Sequence, residues 1–296
     1  MATLIIRNSL RIAVLSALFS LLSFKAYARG CEQAPCTTGN FALPGSQQPG
    51  AFISFGQNIL DQNQVQVYLD GIDLIGKHQN FYLMETGVIY GITDRFSALL
   101  AIPYAVRFKE GHERSSGLAD IALQLEYAVF TKEFACSCHE VTIVANASFP
   151  TGSTHKSPPT GFSSVGYFIG TTYSYTGPYW LAFTSYGAEF PTTHHGTKFG
   201  NAYLYQFGFG RNITNTKNWV LAWVVEFDGT FEERSKVKGV TDPDSGGNLI
   251  YLTPSFSASS KDWIFQFGFG FAIQQNLFGH QNRNKYLAAF TIERTF

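Results

Sequence analysis

From Asp262 to Gln274 the chain changes character at every step. Trp263, Phe265, Phe267, Phe269, Phe271 and Ile273 alternate with Asp262, Ile264, Gln266, Gly268, Gly270, Ala272 and Gln274. A repeat of two is the repeat of a β-strand, whose successive side chains point to opposite faces. One face is therefore large and apolar, the other small or polar. The pentapeptide Gln-Phe-Gly-Phe-Gly inside this stretch also stands at Gln206 to Gly210. A dinucleotide fingerprint would need a third glycine three residues on, opening a helix. Those positions hold Ile213 and Ile273, which excludes it. The aromatic face covers a soluble core or faces the lipid around a membrane barrel.

The N-terminus favours export. Arg7 and Arg11 flank the start of an apolar run at residues 12–22, and Ala26-Tyr27-Ala28 has the small-x-small form of a cleavage site. Residues 1–28 are predicted to be a signal peptide. The run is too short for a spanning helix, and Ala28-Arg29-Gly30 is a poor context for lipidation of Cys31. Residues 29–50 read as a polar leader and 51–296 as the barrel. Loss of Arg7, Arg11 and Lys25 leaves 18 basic against 21 acidic residues, so no basic excess points to nucleic acid. Charged residues are 14% of the chain and aromatics 16%. Ordinary soluble proteins carry about 25% charged residues. Apolar, exported and without a later run of about 18 apolar residues, the chain can cross hydrocarbon only as a closed barrel.

Alternation recurs in twelve stretches: 51–57, 81–92, 96–108, 118–130, 141–149, 165–175, 179–190, 202–213, 219–231, 249–257, 263–274 and 286–296. Long connections (60–80, 109–117, 150–164, 191–201, 232–248 and 276–285) alternate with shorter ones (93–95, 131–140, 176–178, 214–218 and 258–262). Of the shorter set, only 131–140, with its cysteines, is not tight. The expected fold is an all-β, antiparallel transmembrane β-barrel of about 12 strands, with short periplasmic turns and long outer loops. Pro103 and Pro254 break two strands and mark bulges on this scheme. The stretch 51–57 is short enough to belong to an N-terminal plug instead.

Three segments, YGITDRFSALLAIPY at Tyr90 to Tyr104, GLADIALQLEYAVF at Gly117 to Phe130 and ANASFPTG at Ala145 to Gly152, resemble the phenol meta-pathway degradation family of bacterial outer-membrane β-barrels. The resemblance runs from about Phe81 to the C-terminus. The family's Gly-x-Gly-Asp is here Gly117-Leu118-Ala119-Asp120. It implies an outer-membrane protein for passive entry of small solutes, aromatic compounds among them, and brings no catalytic residues; a Gram-negative outer membrane is the expected location, and no cofactor or metal is expected. The terminal Phe296 resembles the signal read by the barrel-assembly machinery, although Arg294 interrupts its apolar face.

Strand parity assigns Phe207, Phe209, Trp263, Phe265, Phe267 and Phe269 to the lipid. Gly208, Gly210, Gly268 and Gly270 go inside, leaving space in a narrow barrel and permitting the sheet to coil. The same parity turns Glu85, Arg107, Asp120, Gln124, Glu126, Asn146, Glu226, Asp228 and Gln266 toward the lumen, with Thr142, Ser148 and Glu293. Lysine or arginine facing mid-bilayer costs about 2–4 kcal/mol, and acids less, so inward placement is favoured. Either the acids make the lumen prefer cations and polar neutral solutes, or they pair with Arg107 and other bases and fill a closed interior. Cys31 and Cys36 close a small loop in the leader. Cys136 and Cys138, beside His139, form a disulfide, stay as thiols or hold a metal. His78, His112, His155, His194, His195 and His280 fall in long loops, and no histidine in a strand; the His194-His195 pair could hold a metal. A non-conducting structural or adhesion barrel is the alternative function. A lipase-like hydrolase is disfavoured by the absence of Gly-x-Ser-x-Gly and of a strand histidine.

Overall fold

The computed structural model describes residues 36–296; the expected signal peptide and Cys31 lie outside the described residues. Twelve antiparallel strands form the wall: β1 (Val65–Gly76), β2 (Gln79–Thr93), β3 (Phe96–Glu110), β4 (Ile121–Phe134), β5 (Ser137–Phe149), β6 (Gly166–Thr176), β7 (Trp180–Pro191), β8 (Ala202–Asn215), β9 (Val220–Glu232), β10 (Gly247–Ser259), β11 (Trp263–Leu277) and β12 (Asn284–Thr295). Each pairs with the next. β12 closes on β1 from Gln66↔Thr295 to Gly76↔Asn284, so no long edge remains. Closure pairs the strands all the way round, the condition for a wall in hydrocarbon.

The alternation in sequence becomes inside and outside. On β11, Phe265, Phe267, Phe269 and Phe271 are exposed on the outer wall, Phe267 by 61%, while Ile264, Gln266 and Gly270 are buried. Phe207 on β8 is likewise exposed, and Gly208 and Gly210 are buried. All four tryptophans lie toward the end of the barrel that carries most of the tight turns, and Arg211 and Arg294 cover Trp180 and Trp263 at 5.0 and 5.1 Å from the ring centres. Amphipathic rings in such a belt mark a membrane–water boundary. In outer-membrane barrels the tight turns face the periplasm, and that end is called periplasmic below.

Several expectations change. Residues 51–57 form no strand; they run through the interior. The barrel begins at Val65, inside the stretch expected to be a long loop, and β1 turns into β2 at Lys77 and His78. Asp70, Gly71 and Asp73 hid β1, because acids and glycine count against a strand in water. Here Asp70 stands on the interior face with Gln66 and Tyr68. The cysteine turn is tight: β4 and β5 extend to Phe134 and Ser137, leaving only Ala135 and Cys136 between them. His139 is thus in a strand, its Nδ1 at 2.9 Å from the Tyr173 hydroxyl. Cys36 pairs with Cys136, not Cys31. Pro254 lies within β10, where the ladder to β11 skips from Leu252↔Phe271 to Ser255↔Gly268. Pro103 marks the point where β3 stops pairing with β4 and its outer half takes the short strand Glu113–Leu118 as partner.

Candidate functional site

The interior is occupied by the chain's own N-terminal segment. Residues 36–64 start at the periplasmic end, reach into the bore around residues 51–58, and return to the same end to begin β1. At the rim, Cys36 bonds Cys136 and its N–H donates to Ala135 at 2.8 Å. The buried Asn40 donates from its backbone and side chain to Pro178 and Gly177, at 2.7 and 3.0 Å. Gln47 donates to the Thr295 hydroxyl at 2.6 Å, tying the segment to the last strand. On the way out, Leu60 packs with Tyr68 and Ile89, and Asn63 and Gln64 exchange backbone hydrogen bonds with Gly91.

A backbone without regular structure cannot be buried unless its polar groups find partners. The wall supplies partners, and from Phe52 to Asn58 sorts them by chemistry. Acids and amides take the N–H groups. Glu226 accepts from Phe52, Ile53 and Ser54 at 2.5, 3.0 and 3.0 Å, and from the Ser54 hydroxyl at 3.0 Å. Successive N–H groups converging on one carboxylate form an anion-holding concavity. Gln206 accepts from Phe55, and Glu126 from the N–H and side-chain amide of Asn58 at 2.9 and 2.8 Å. Hydroxyls serve the carbonyls: Thr172 and Ser185 donate to Phe55, and Thr142 to Gly56. Gly56 has φ +86°, and a Cβ there would collide with the Thr172 hydroxyl. The apolar side chains of the segment seat where the wall is thin. Phe52 lies over Gly268, where a Cβ would sit 2.6 Å from its ring, and Phe55 lies over Gly170 and edge-on to Phe168 at 4.8 Å.

The residues expected in the lumen divide. Glu126, Glu226, Asp228 and Gln266 are buried and touch the segment; Asp228 accepts from Ser54, Thr253 and Gln206, and Gln266 reaches Gly50. Gln124 bridges Asn146 to Glu126. Glu85 accepts from Tyr68 at 2.8 Å. Two residues do not join them. Asp120 falls outside the strands and accepts from the N–H groups of Gly152 and Phe162, so it fastens an outer loop. Arg107 follows an irregularity in the β2–β3 register, and its side chain is 55% exposed beside Asp73 at 3.6 Å near the outer rim. That contact is the one salt bridge among the described residues, so no base neutralises Glu126, Glu226 or Asp228. Backbone N–H dipoles, amides and hydroxyls do so instead. The expectation that the acids pair with bases therefore fails.

Parity could not reveal what the acids hold. The partner lies 68 residues from Glu126 and 172–174 residues from Glu226. Cavities remain on both sides of residues 51–58. One of about 410 Å³, lined by Gln79, Glu232, Asp244 and Asn284 among others, opens at the outer end. A cleft of about 760 Å³ opens at the periplasmic end, with Cys36, Asn58, Cys138 and Gln266 in its lining.

Known structures settle what kind of wall this is. An outer membrane channel from Pseudomonas putida F1 matches with a TM-score of 0.64 at 13% identity, over 84% of this chain and 99% of that one. The chain has the fold of an outer-membrane β-barrel. The β domain of the Bordetella autotransporter BrkA (11% identity, 80% and 100% coverage, TM-score 0.46) and the KdgM porin (9%, 76% and 97%, 0.42) are more distant. No family model matches the chain, and no curated protein matches its sequence.

Proposed function

We propose that the chain is an outer-membrane channel for passive uptake of small solutes, held closed by its own residues 51–58. The observation that supports this is how the segment is held. The segment adds no strand to the wall's ladder; its backbone is held by hydrogen bonds to wall side chains, each of which water can replace at small net cost, while Ala51, Phe52 and Ile53 pack against small apolar clusters of the wall. The wall closes without it, from β1 to β12. Once vacated, the bore exposes Glu126, Glu226 and Asp228 with no neighbouring base, and acidic rings of this kind favour cations and polar neutral solutes over anions. Aromatic compounds are the first solutes to test, as the resemblance to the phenol meta-pathway family implies. The lipid of the outer membrane covers the aromatic outer wall, the barrel-assembly machinery reads the strand ending at Phe296, and residues 1–28 direct export.

The test replaces residues 51–58 with an equal length of Gly-Ser linker and measures conductance in planar bilayers. The replaced protein is expected to carry a steady current much larger than that of the wild type. A folded but silent variant would reject the channel, and the non-conducting structural barrel would stand.

A further inference from the structure

The segment in the bore is fastened covalently at both ends. One end continues into β1; the other is the Cys36–Cys136 disulfide, which closes a loop across 100 residues. The barrel does not depend on that bond, since its strands close by pairing from β1 to β12. What the bond holds is the start of the plugging segment. Cys136 is exposed in the two-residue turn between β4 and β5 at the periplasmic end, and Cys36 is half-buried in the lining of the periplasmic cleft. A reagent from that compartment can reach it. Cys138 lines the same cleft as a free thiol, two residues further along the chain.

We infer that the Cys36–Cys136 disulfide is a redox latch on the plug, which a periplasmic dithiol opens. Resting on the channel reading above, this assigns that channel its control. A thiolate of the dithiol attacks the Cys136 sulfur; the S–S bond breaks and Cys36 leaves as thiolate, taking a proton. The second thiol of the reagent then attacks the mixed disulfide and frees Cys136. Two electrons pass, the reagent becomes a disulfide, and the protein holds two thiols. Residues 37–64 are then tethered at Val65 alone. Their return to the bore competes with a much larger set of free conformations, because a cross-link acts by removing such conformations. With the bond intact the segment stays near its site, and the acids and hydroxyls of the wall recapture it at high effective concentration.

The test uses the full mature chain with Cys31→Ser and Cys138→Ser, so that Cys36 and Cys136 are the only cysteines. Dithiothreitol is the probe, and reduction is verified by the mass of alkylated thiols. Chymotrypsin cleavage at Phe52 and Phe55 reports withdrawal of the plug without reference to transport. Reduction is expected to raise the cleavage rate and the bilayer conductance by at least about tenfold, within the range that loss of a cross-link produces. Cys36→Ser should show the raised values at once and ignore dithiothreitol. Unchanged cleavage after complete reduction overturns the latch, whatever the conductance. Faster cleavage without added current upholds the latch and rejects the channel instead. Because the Cys36–Cys136 pair is itself the substrate of the assay and one protein is compared before and after reduction, the outcome does not depend on whether Cys36→Ser folds.

Discussion

Removal of the Glu226 carboxylate should release the plug. In Glu226→Ala the N–H groups of Phe52, Ile53 and Ser54 lose their acceptor, while the Ser54 hydroxyl keeps Asp228 at 3.2 Å. A buried donor without a partner costs about 1–3 kcal/mol. The space left by the side chain lets water in, so the low end applies, about 1 kcal/mol for each of the three donors. The closed state then loses about 3 kcal/mol, and the ratio of open to closed barrels rises about 150-fold. Glu226→Gln should have a smaller effect, since one oxygen remains to accept. Two assays read the change: bilayer conductance, and chymotrypsin cleavage at Phe52 and Phe55. The same substitution in a protein whose residues 51–58 are already Gly-Ser should change neither conductance nor stability by this amount, a double-mutant cycle that isolates the contact. If Glu226→Ala keeps the heat-modifiable migration of a folded barrel and both readouts stay within about twofold of the wild type, the N–H cluster does not hold the plug.

Other outcomes follow from the same contacts. Gly268→Ala puts a methyl against the Phe52 ring and 2.9 Å from the Ser255 Cβ; an overpacking cost of about 1–3 kcal/mol should raise conductance, and Phe52→Ala should relieve the part due to the ring. In the Gly-Ser form, Glu126→Gln with Glu226→Gln should move the reversal potential toward anions under a salt gradient. The shift should shrink in concentrated salt, because screening acts over about 8 Å at physiological strength; an unmoved reversal potential would place both acids outside the conduction path. Single cysteines at Phe267 and Gly268, in a cysteine-free chain, should differ in access to a lipid-dissolved quencher, with position 267 quenched far more; equal quenching would reverse the facing of β11.

The wall was legible because its physics is local. Alternation at residues 202–213 and 263–274 tells inside from outside one residue at a time, and turn residues punctuate it. β1 was illegible for the same reason. Asp70, Gly71 and Asp73 signal a loop wherever water is assumed; in Val65–Gly76 Asp70 looks into the filled bore, while on the opposite face Gly71 lies under the Phe290 ring and Asp73 meets Arg107 near the rim. The segment at 51–57 misled in the opposite direction. Its apolar and small residues alternate, yet Phe52 and Phe55 answer to thin places in the wall at Gly268 and Gly170, not to a strand's pleat. Arg107 and Asp120 were misplaced because parity holds only while the register does. An irregularity in the β2–β3 pairing precedes the first, and β4 begins only after the second.

The inward acids carried a signal that parity alone did not exhaust. A carboxylate that stays charged on an interior face must be hydrated, paired with a base, or met by hydrogen-bond donors. Among the described residues no base bridges Glu126 or Glu226: the one salt bridge is Arg107 with Asp73 at the rim, and Arg211 and Arg294 lie over tryptophans at the belt. Hydration of both acids requires an open bore; donors in number require a backbone that has no ladder of its own. A short polar and aromatic segment ahead of the first strand, with a glycine to reverse it at Gly56, is the part of the sequence that can supply such a backbone. The inward hydroxyls point the same way, since Thr142, Thr172 and Ser185 bring donors that the acids have no use for, and the plug's carbonyls use them. Acids without bases, hydroxyls beside them and a short free segment upstream together specify a chain inserted into its own barrel.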